Sequence, residues 1–164
     1  MYEQICKEDL KHFKQLTTGN GSNAVLMGYN TWLSIGEKIL SNRENFVLTK
    51  QHYNELNTLF DSKGNPNLCH PVQTIEETIR ICEFLDIKEL WIIGGSTLYE
   101  KFLKTSNYAS KVSKIYQTII PTNYSIDSNT ILVPDISKAY FRLSKIEKFK
   151  DFEVKIYLSV NYEQ

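Results

Sequence analysis

Three short, unbroken apolar runs constrain this chain more than any other feature: Asn23 to Gly28 (NAVLMG), Asn45 to Lys50 (NFVLTK) and Glu89 to Ile93 (ELWII). Runs this short without polar alternation suit strands covered on both faces. Between them lie amphipathic segments. Lys7 to Leu16 carries Leu10, Phe13 and Leu16 at helical spacing, and TWLSIG reads as a short helix ending near Gly36. Thr74 to Leu85 opens with Thr74 and Glu77 in capping-box spacing and carries Ile75, Ile79, Ile81 and Leu85. A helix from Ser96 to Leu103 follows the third run, then a strand over Lys114 to Ile120, and Tyr140 to Ser144 with Glu153 to Val160 read as a terminal antiparallel pair. The polar, glycine- and proline-bearing FDSKGNPN, residues 60–67, reads as a surface loop. Buried strands alternating with helices predict an α/β fold with a mainly parallel sheet, and 164 residues suit a single domain over 1–164.

Composition excludes several classes. Nineteen basic residues balance nineteen acidic ones, and no like-charge block suits a nucleic-acid backbone or an anionic membrane. The start, MYEQICKEDLKHF, has no apolar leader, and no apolar run reaches membrane-spanning length, so a soluble cytoplasmic protein is expected. Cys6, Cys69 and Cys82 are odd in number and form no CxxC pair, which suits reduced thiols. His12, His52 and His70 lack metal-ligand spacing, and no metal is assigned.

Parallel sheets place ligands beyond the carboxyl ends of their strands, where Gly28 and Gly94-Gly95 fall. Glycine there lets the backbone approach a ligand closely, and the free N–H groups at the start of a helix beginning with Ser96 and Thr97 suit a phosphate. Two adjacent glycines serve a tight turn equally well, and neither GxGxxG nor a Walker pattern is present.

Four blocks in order, EDLKHFKQLT, NAVLMGYNTWLSIG, NRENFVLTK and WIIGGSTLYE, decide between these readings. Together they resemble the dihydrofolate reductase family, well from Lys7 to about Ile120 and more loosely through the terminal strands. The resemblance implies a mixed, mainly parallel sheet with flanking helices, and NADPH-dependent reduction of dihydrofolate to tetrahydrofolate. Asp9 matches the family's acidic active-site position, where a carboxylate accepts two adjacent N–H groups of the pterin, and Thr118 matches the threonine that supports it. Leu10, Phe13, Ile35 and Leu40 match apolar substrate contacts, and Arg43 matches the clamp on the substrate's glutamate carboxylate. On the cofactor side the matches are Gly28, Thr31, Ile93, Gly94, Gly95, Ser96, Thr97, Leu98 and Tyr99, with Thr49 and Lys50 at a location for the 2′-phosphate. Trp32 reads as packing behind them.

The chain also departs from the family. Tyr29 and Asn30 stand where basic residues often help bind the 2′-phosphate, and the IDSNTILVP region, with Asp127 and Thr130, matches loosely. Met1 falls at about the Asp9 helix, so the family's first strand and active-site loop are not found before it. In the family that strand lies between the strands expected at Glu89 to Ile93 and Lys114 to Ile120. Three explanations follow in order: an incomplete chain with a late start or separate N-terminal piece, a degenerate relative that binds without turnover, or direct closure of the two flanking strands. Impaired turnover is the expectation for the chain as written. The alternative function is a non-catalytic folate- or nucleotide-binding relative or subunit. A companion thymidylate synthase is a further implied partner. The pyrimidine reductase of riboflavin synthesis fits less well, because the Asp9 block and Arg43 are folate features.

Overall fold

The computed structural model describes residues 2–62, 69–121 and 133–161. Asp127 and Thr130 lie outside the described residues, as do the side chain of Cys6 and the end of the FDSKGNPN stretch. The chain divides into two compact units, Lys11–Leu98 and Met1–Leu10 with Tyr99–Gln164. The fold is mixed α/β with a parallel sheet and flanking helices, the class expected from the apolar runs.

In the first unit, the three apolar runs become β1 (Ala24–Gly28), β2 (Glu44–Leu48) and β4 (Leu90–Ile92), joined by β3 (Cys69–Val72). All pairings are parallel and the order is β3-β2-β1-β4. Ala24, Val25, Leu26 and Met27 are fully buried, as continuous apolar character requires of a strand covered on both faces. Under one face Val25, Met27 and Val47 pack with Trp32, Leu56, Phe60 and Cys69. Trp32 comes from α2 (Tyr29–Ser34), is 1% exposed, and meets Phe60 edge-on at 5.5 Å, the packing role its position suggested.

Phe60 marks a correction. The chain from Tyr53 to Ser62 is a helix, α3, so Phe60, Asp61 and Ser62 do not belong to a surface loop. Leu56 and Phe60, one helical turn apart, bury completely enough to hold it on the sheet. In β3, Pro71 pairs alongside Val47 on an edge strand, the place where a missing N–H is tolerated. The helix α4 (Ile75–Phe84) starts as predicted, with Thr74 Oγ1 accepting from Glu77 N at 3.0 Å. Its buried face is Ile75, Thr78 and Cys82, while Leu85 is 40% exposed, so the expected apolar set is only partly the face that packs.

The second unit holds an antiparallel sheet of β5 (Lys114–Ile119), β6 (Phe141–Lys148) and β7 (Glu153–Ser159) in the order β5-β7-β6. The central strand β7 alternates, burying Val154 and Ile156 beside Phe152. The helix α1 (Tyr2–Thr18) contributes its first half to this unit, as α5 (Ser96–Lys104) does its second, and α6 (Ser106–Ala109) follows. Among the described residues β4 pairs with β1, and β5 pairs with β7.

Candidate functional site

The predicted site residues fall in both units, and each group has its own local construction. In the unit built on the antiparallel sheet, Asp9 projects from α1 and Thr118 from β5, where it pairs opposite Val154. Thr118 Oγ1 donates to Asp9 Oδ1 at 2.8 Å across 109 residues of sequence. That bond fixes the carboxylate and leaves Oδ2 without a hydrogen-bond partner among the described residues. A half-engaged carboxylate of this kind can accept paired N–H donors. Its neighbour Leu10 is 62% exposed. Tyr99, expected beside the cofactor, packs with Leu103, Ala109 and Phe141, and burial pushes its phenol above the ordinary value.

In the other unit, Arg43 is the most unusual group. Its side chain lies just before β2, 4% exposed, and burial lowers its pKa from the ordinary value. Nη1 donates to Thr17 Oγ1 at 2.7 Å and Nε to Ser41 O at 3.0 Å, and the guanidinium lies 5.9 Å from the Phe13 ring centre. No carboxylate pairs with it among the described residues, and Nη2 makes no hydrogen bond there. Burying an unpaired charge is costly, and a guanidinium so placed is chemically suited to pair with an anion. Ile35 and Leu40 are half-buried against the core beneath the parallel sheet.

Two residues that position Arg43 were not legible beforehand. Thr17, 1% exposed, donates its hydroxyl hydrogen to Phe13 O at 2.8 Å, which turns an oxygen lone pair toward Arg43. Asn45, fully buried in β2, ties down the turn that carries Leu40 and Arg43. Its Oδ1 accepts from Leu40 N at 2.9 Å, and its Nδ2 donates to Leu40 O at 2.9 Å and Arg43 O at 2.8 Å. An asparagine at the head of an apolar run was the available signal for Asn45.

The cofactor candidates line the carboxyl edge of the parallel sheet. Gly28 N donates to Gly94 O at 2.8 Å, so the turns after β1 and β4 touch through their backbones. A Cβ added at Gly28 would sit 3.6 Å from Gly95 N, and one at Gly95 would sit 3.5 Å from Thr31 Oγ1. Both are ordinary contacts, so the free fold does not forbid a methyl group. It would instead fill the shallow cradle between the turns. Gly94, at φ 118°, has a backbone that side-chain-bearing residues rarely adopt. The cradle opens on the first turn of α5, which bears Ser96, Thr97 and Leu98 and no acidic residue, with Lys101 and Lys104 in the last turn. Small residues, backbone donors and the favourable end of a helix fit a pyrophosphate. One strand further, Thr49 is buried with Oγ1 accepting from His52 N at 3.1 Å, and Lys50 is exposed. Among the described residues no three His, Cys, Asp or Glu side chains gather as a metal site.

A parallel sheet with flanking helices, and glycine turns and a helix start at its carboxyl edge, is an α/β arrangement with room for a ligand at that edge. The family model described as dihydrofolate reductase matches residues 4–163, and the chain belongs to that family. It is 30% identical over 151 residues to a bifunctional dihydrofolate reductase-thymidylate synthase of Acanthamoeba polyphaga mimivirus, covering 88% of this chain and 24% of the relative. It is also 30% identical to the viral dihydrofolate reductase of Saimiriine herpesvirus 2 (strain 488) and to the dihydrofolate reductase of Candida albicans. Those matches cover 82% and 77% of this chain and 60% and 62% of the relatives, so the chain spans less than two thirds of their length. No described helix is long and apolar enough to cross a membrane.

Proposed function

We propose that this chain takes part in reducing dihydrofolate to tetrahydrofolate with NADPH. The observation that carries the reading is Arg43, a buried guanidinium with no anion of its own among the described residues. The glutamate tail of a folate supplies a carboxylate that a guanidinium fork can grip in parallel. Asp9, steadied by Thr118, accepts the ring N–H and exocyclic amino group of the pterin. Its fixed negative charge favours protonation, by water, of the imine nitrogen that must gain a proton.

When bound, NADPH supplies the hydride. Gly28, Thr31, Ile93, Gly94, Gly95, Ser96, Thr97, Leu98 and Tyr99 are the chain's candidates to hold its nicotinamide and pyrophosphate portions, and Thr49 and Lys50 its 2′-phosphate. The names of the mimivirus relative and of a Plasmodium berghei (strain Anka) relative join this activity to thymidylate synthase, which makes such a domain a proposed partner. The test is NADPH oxidation followed with dihydrofolate, alongside equilibrium titration of each ligand. Binding of both with no oxidation would assign the chain to the alternative, a relative that binds without turnover. Binding of neither would overturn the reading.

A further inference from the structure

The turn that joins α1 to β1 holds the chain's single Asn-Gly pair, Asn20-Gly21. Both residues are exposed, and the segment is fixed on either side of them. Before the pair, Gly19 N–H donates to Gln15 O at 3.2 Å and closes α1. After it, Ser22 O accepts from Lys88 N at 2.9 Å, and the buried Asn23 side chain donates to Thr17 O at 3.1 Å. Gly21 stands at φ 90°, and a Cβ placed there would meet nothing within 4 Å, so the tip of the turn is bare.

Asparagine followed by glycine is prone to cyclise, because no side chain hinders the glycine nitrogen as it approaches the asparagine Cγ. Two hydrogen bonds act on that reaction here, in opposite senses. Ser22 N–H donates to Asn20 Oδ1 at 3.1 Å. That bond curls the side chain over the intervening Gly21 peptide, draws electron density from the Cγ carbonyl, and is aimed at the oxygen that gains negative charge on attack. Gly21 N–H donates to Thr18 O at 2.9 Å, which keeps the proton on the nitrogen that would attack and holds that nitrogen in the turn. The electrophile is therefore primed while the nucleophile is latched.

We propose that Asn20 is a site of spontaneous modification through a succinimide, held in check by the bond from Gly21 N to Thr18 O, and that its conversion weakens the hold of Thr17 on Arg43. When the latch opens, Gly21 N gives its proton to water and attacks Cγ. The N–Cγ bond forms, the Cγ–Nδ2 bond breaks, and the amide nitrogen leaves as ammonia with a proton returned from solvent. Water then opens the ring at either carbonyl. Cleavage at Cγ leaves aspartate, and cleavage at the Asn20 backbone carbonyl leaves isoaspartate, whose main chain runs through Cγ and is longer by a methylene group. No oxidation or reduction is involved. The lengthened backbone lies between Gly19, which closes α1, and Asn23, which holds Thr17 O, and Thr17 Oγ1 accepts from Arg43 Nη1 at 2.7 Å. This second step rests on the reading of Arg43 above.

The experiment is timed peptide mapping of the whole chain at a fixed, mildly alkaline pH, in buffer and in urea, with electron-transfer fragmentation to separate aspartate from isoaspartate. Asn20 should convert ahead of every other asparagine in urea, and about ten- to a hundredfold more slowly in the folded chain, the scale on which an exposed turn opens. Gly21→Ala, whose methyl group hinders the nitrogen, should abolish that lead in urea, where the strain of a positive φ plays no part. Conversion of Asn20 no faster than that of the other asparagines in urea would overturn the site, and equal rates in buffer and urea would overturn the latch. The aged chain, its converted fraction read from the same maps, should bind folate about threefold or more weakly than fresh chain, and pteroate equally well. Unchanged folate affinity after conversion would overturn the reach to Arg43. Fresh chain that binds folate and pteroate equally would remove the Arg43 reading itself and leave the mapping to decide the modification.

Discussion

Replacing Arg43 by methionine separates an anion receptor from a structural arginine. In the free protein, the guanidinium is 4% exposed and has two hydrogen bonds, to Thr17 Oγ1 and Ser41 O. Its removal strands neither partner. Thr17 keeps its own bond to Phe13 O at 2.8 Å, and Ser41 is exposed to water. A methionine of similar length fills the channel beside Phe13 and removes a desolvated charge, so the melting temperature should hold or rise, within about 1 kcal/mol of stability. Ligand binding should respond very differently. A buried, doubly hydrogen-bonded guanidinium–carboxylate contact costs about 2–5 kcal/mol when one side is truncated. That corresponds to a loss of at least about 30-fold in folate affinity.

The measurement is paired: equilibrium titration of folate and of pteroate, which has the same rings and no glutamate. Arg43→Met should weaken folate and leave pteroate within about twofold, the scale of a few tenths of a kcal/mol. Thr17→Val should give a smaller, equally selective loss, because it removes the acceptor that aims Nη1, and Thr17→Ser should restore it. Equal loss of folate and pteroate would refute the assignment, since a collapsed fold spares neither ligand. So would unchanged folate affinity.

Asp9→Asn should weaken folate and pteroate alike, by about 1.5–3 kcal/mol, because both carry the pterin and lose a charge-assisted bond; isothermal titration gives the values, with a melting curve as control. Gly94→Ala should destabilise the fold by about 1–3 kcal/mol in urea, given its positive φ, whereas Gly95→Ala should melt like the native chain and bind NADPH more weakly, its methyl group having taken the cradle. Burial pushes the thiols of Cys69 and Cys82 up from 9.0 to about 12 and about 11. Because the folded values are raised, the stability they contribute is complete below pH 9 and is lost as pH climbs toward 11 and 12, so the melting temperature should fall across that range. At pH 8, mass mapping after alkylation should find both cysteines unlabelled in the folded chain and labelled in urea.

What could be read in the sequence was local or rested on the family's blocks. The runs that became β1, β2 and β4, the helix carrying Asp9 and the glycine turns all announce themselves within ten residues or so. Missed elements had a local cue masked by a neighbour. In α3 the spacing of Leu56 and Phe60 is hidden by the glycine and proline that follow, and in β3 Pro71 speaks against a strand until the strand proves to be an edge. Contacts between distant segments had no cue of their own. Thr118 and Asp9 meet across 109 residues, and Tyr29 and His52 meet face to face only because parallel pairing sets the ends of β1 and β2 side by side.

The buried polar residues show where such contacts can be sought. A buried polar side chain must find a partner, so one at the border of an apolar stretch marks a place where the fold is holding something. Asn45 opens NFVLTK and holds the Leu40–Arg43 turn; Thr17 ends the α1 stripe and aims Arg43; Thr49 closes β2 and fixes His52. Asn23, at the head of β1, holds Thr17 O at 3.1 Å and so secures the end of the helix from which Thr17 works. Each is satisfied within the protein. Among the described residues Arg43 alone of the buried side chains carries a full charge with no opposite charge beside it, so Asn45, Thr17 and Asn23 hold in place a group whose electrostatics a bound anion would complete.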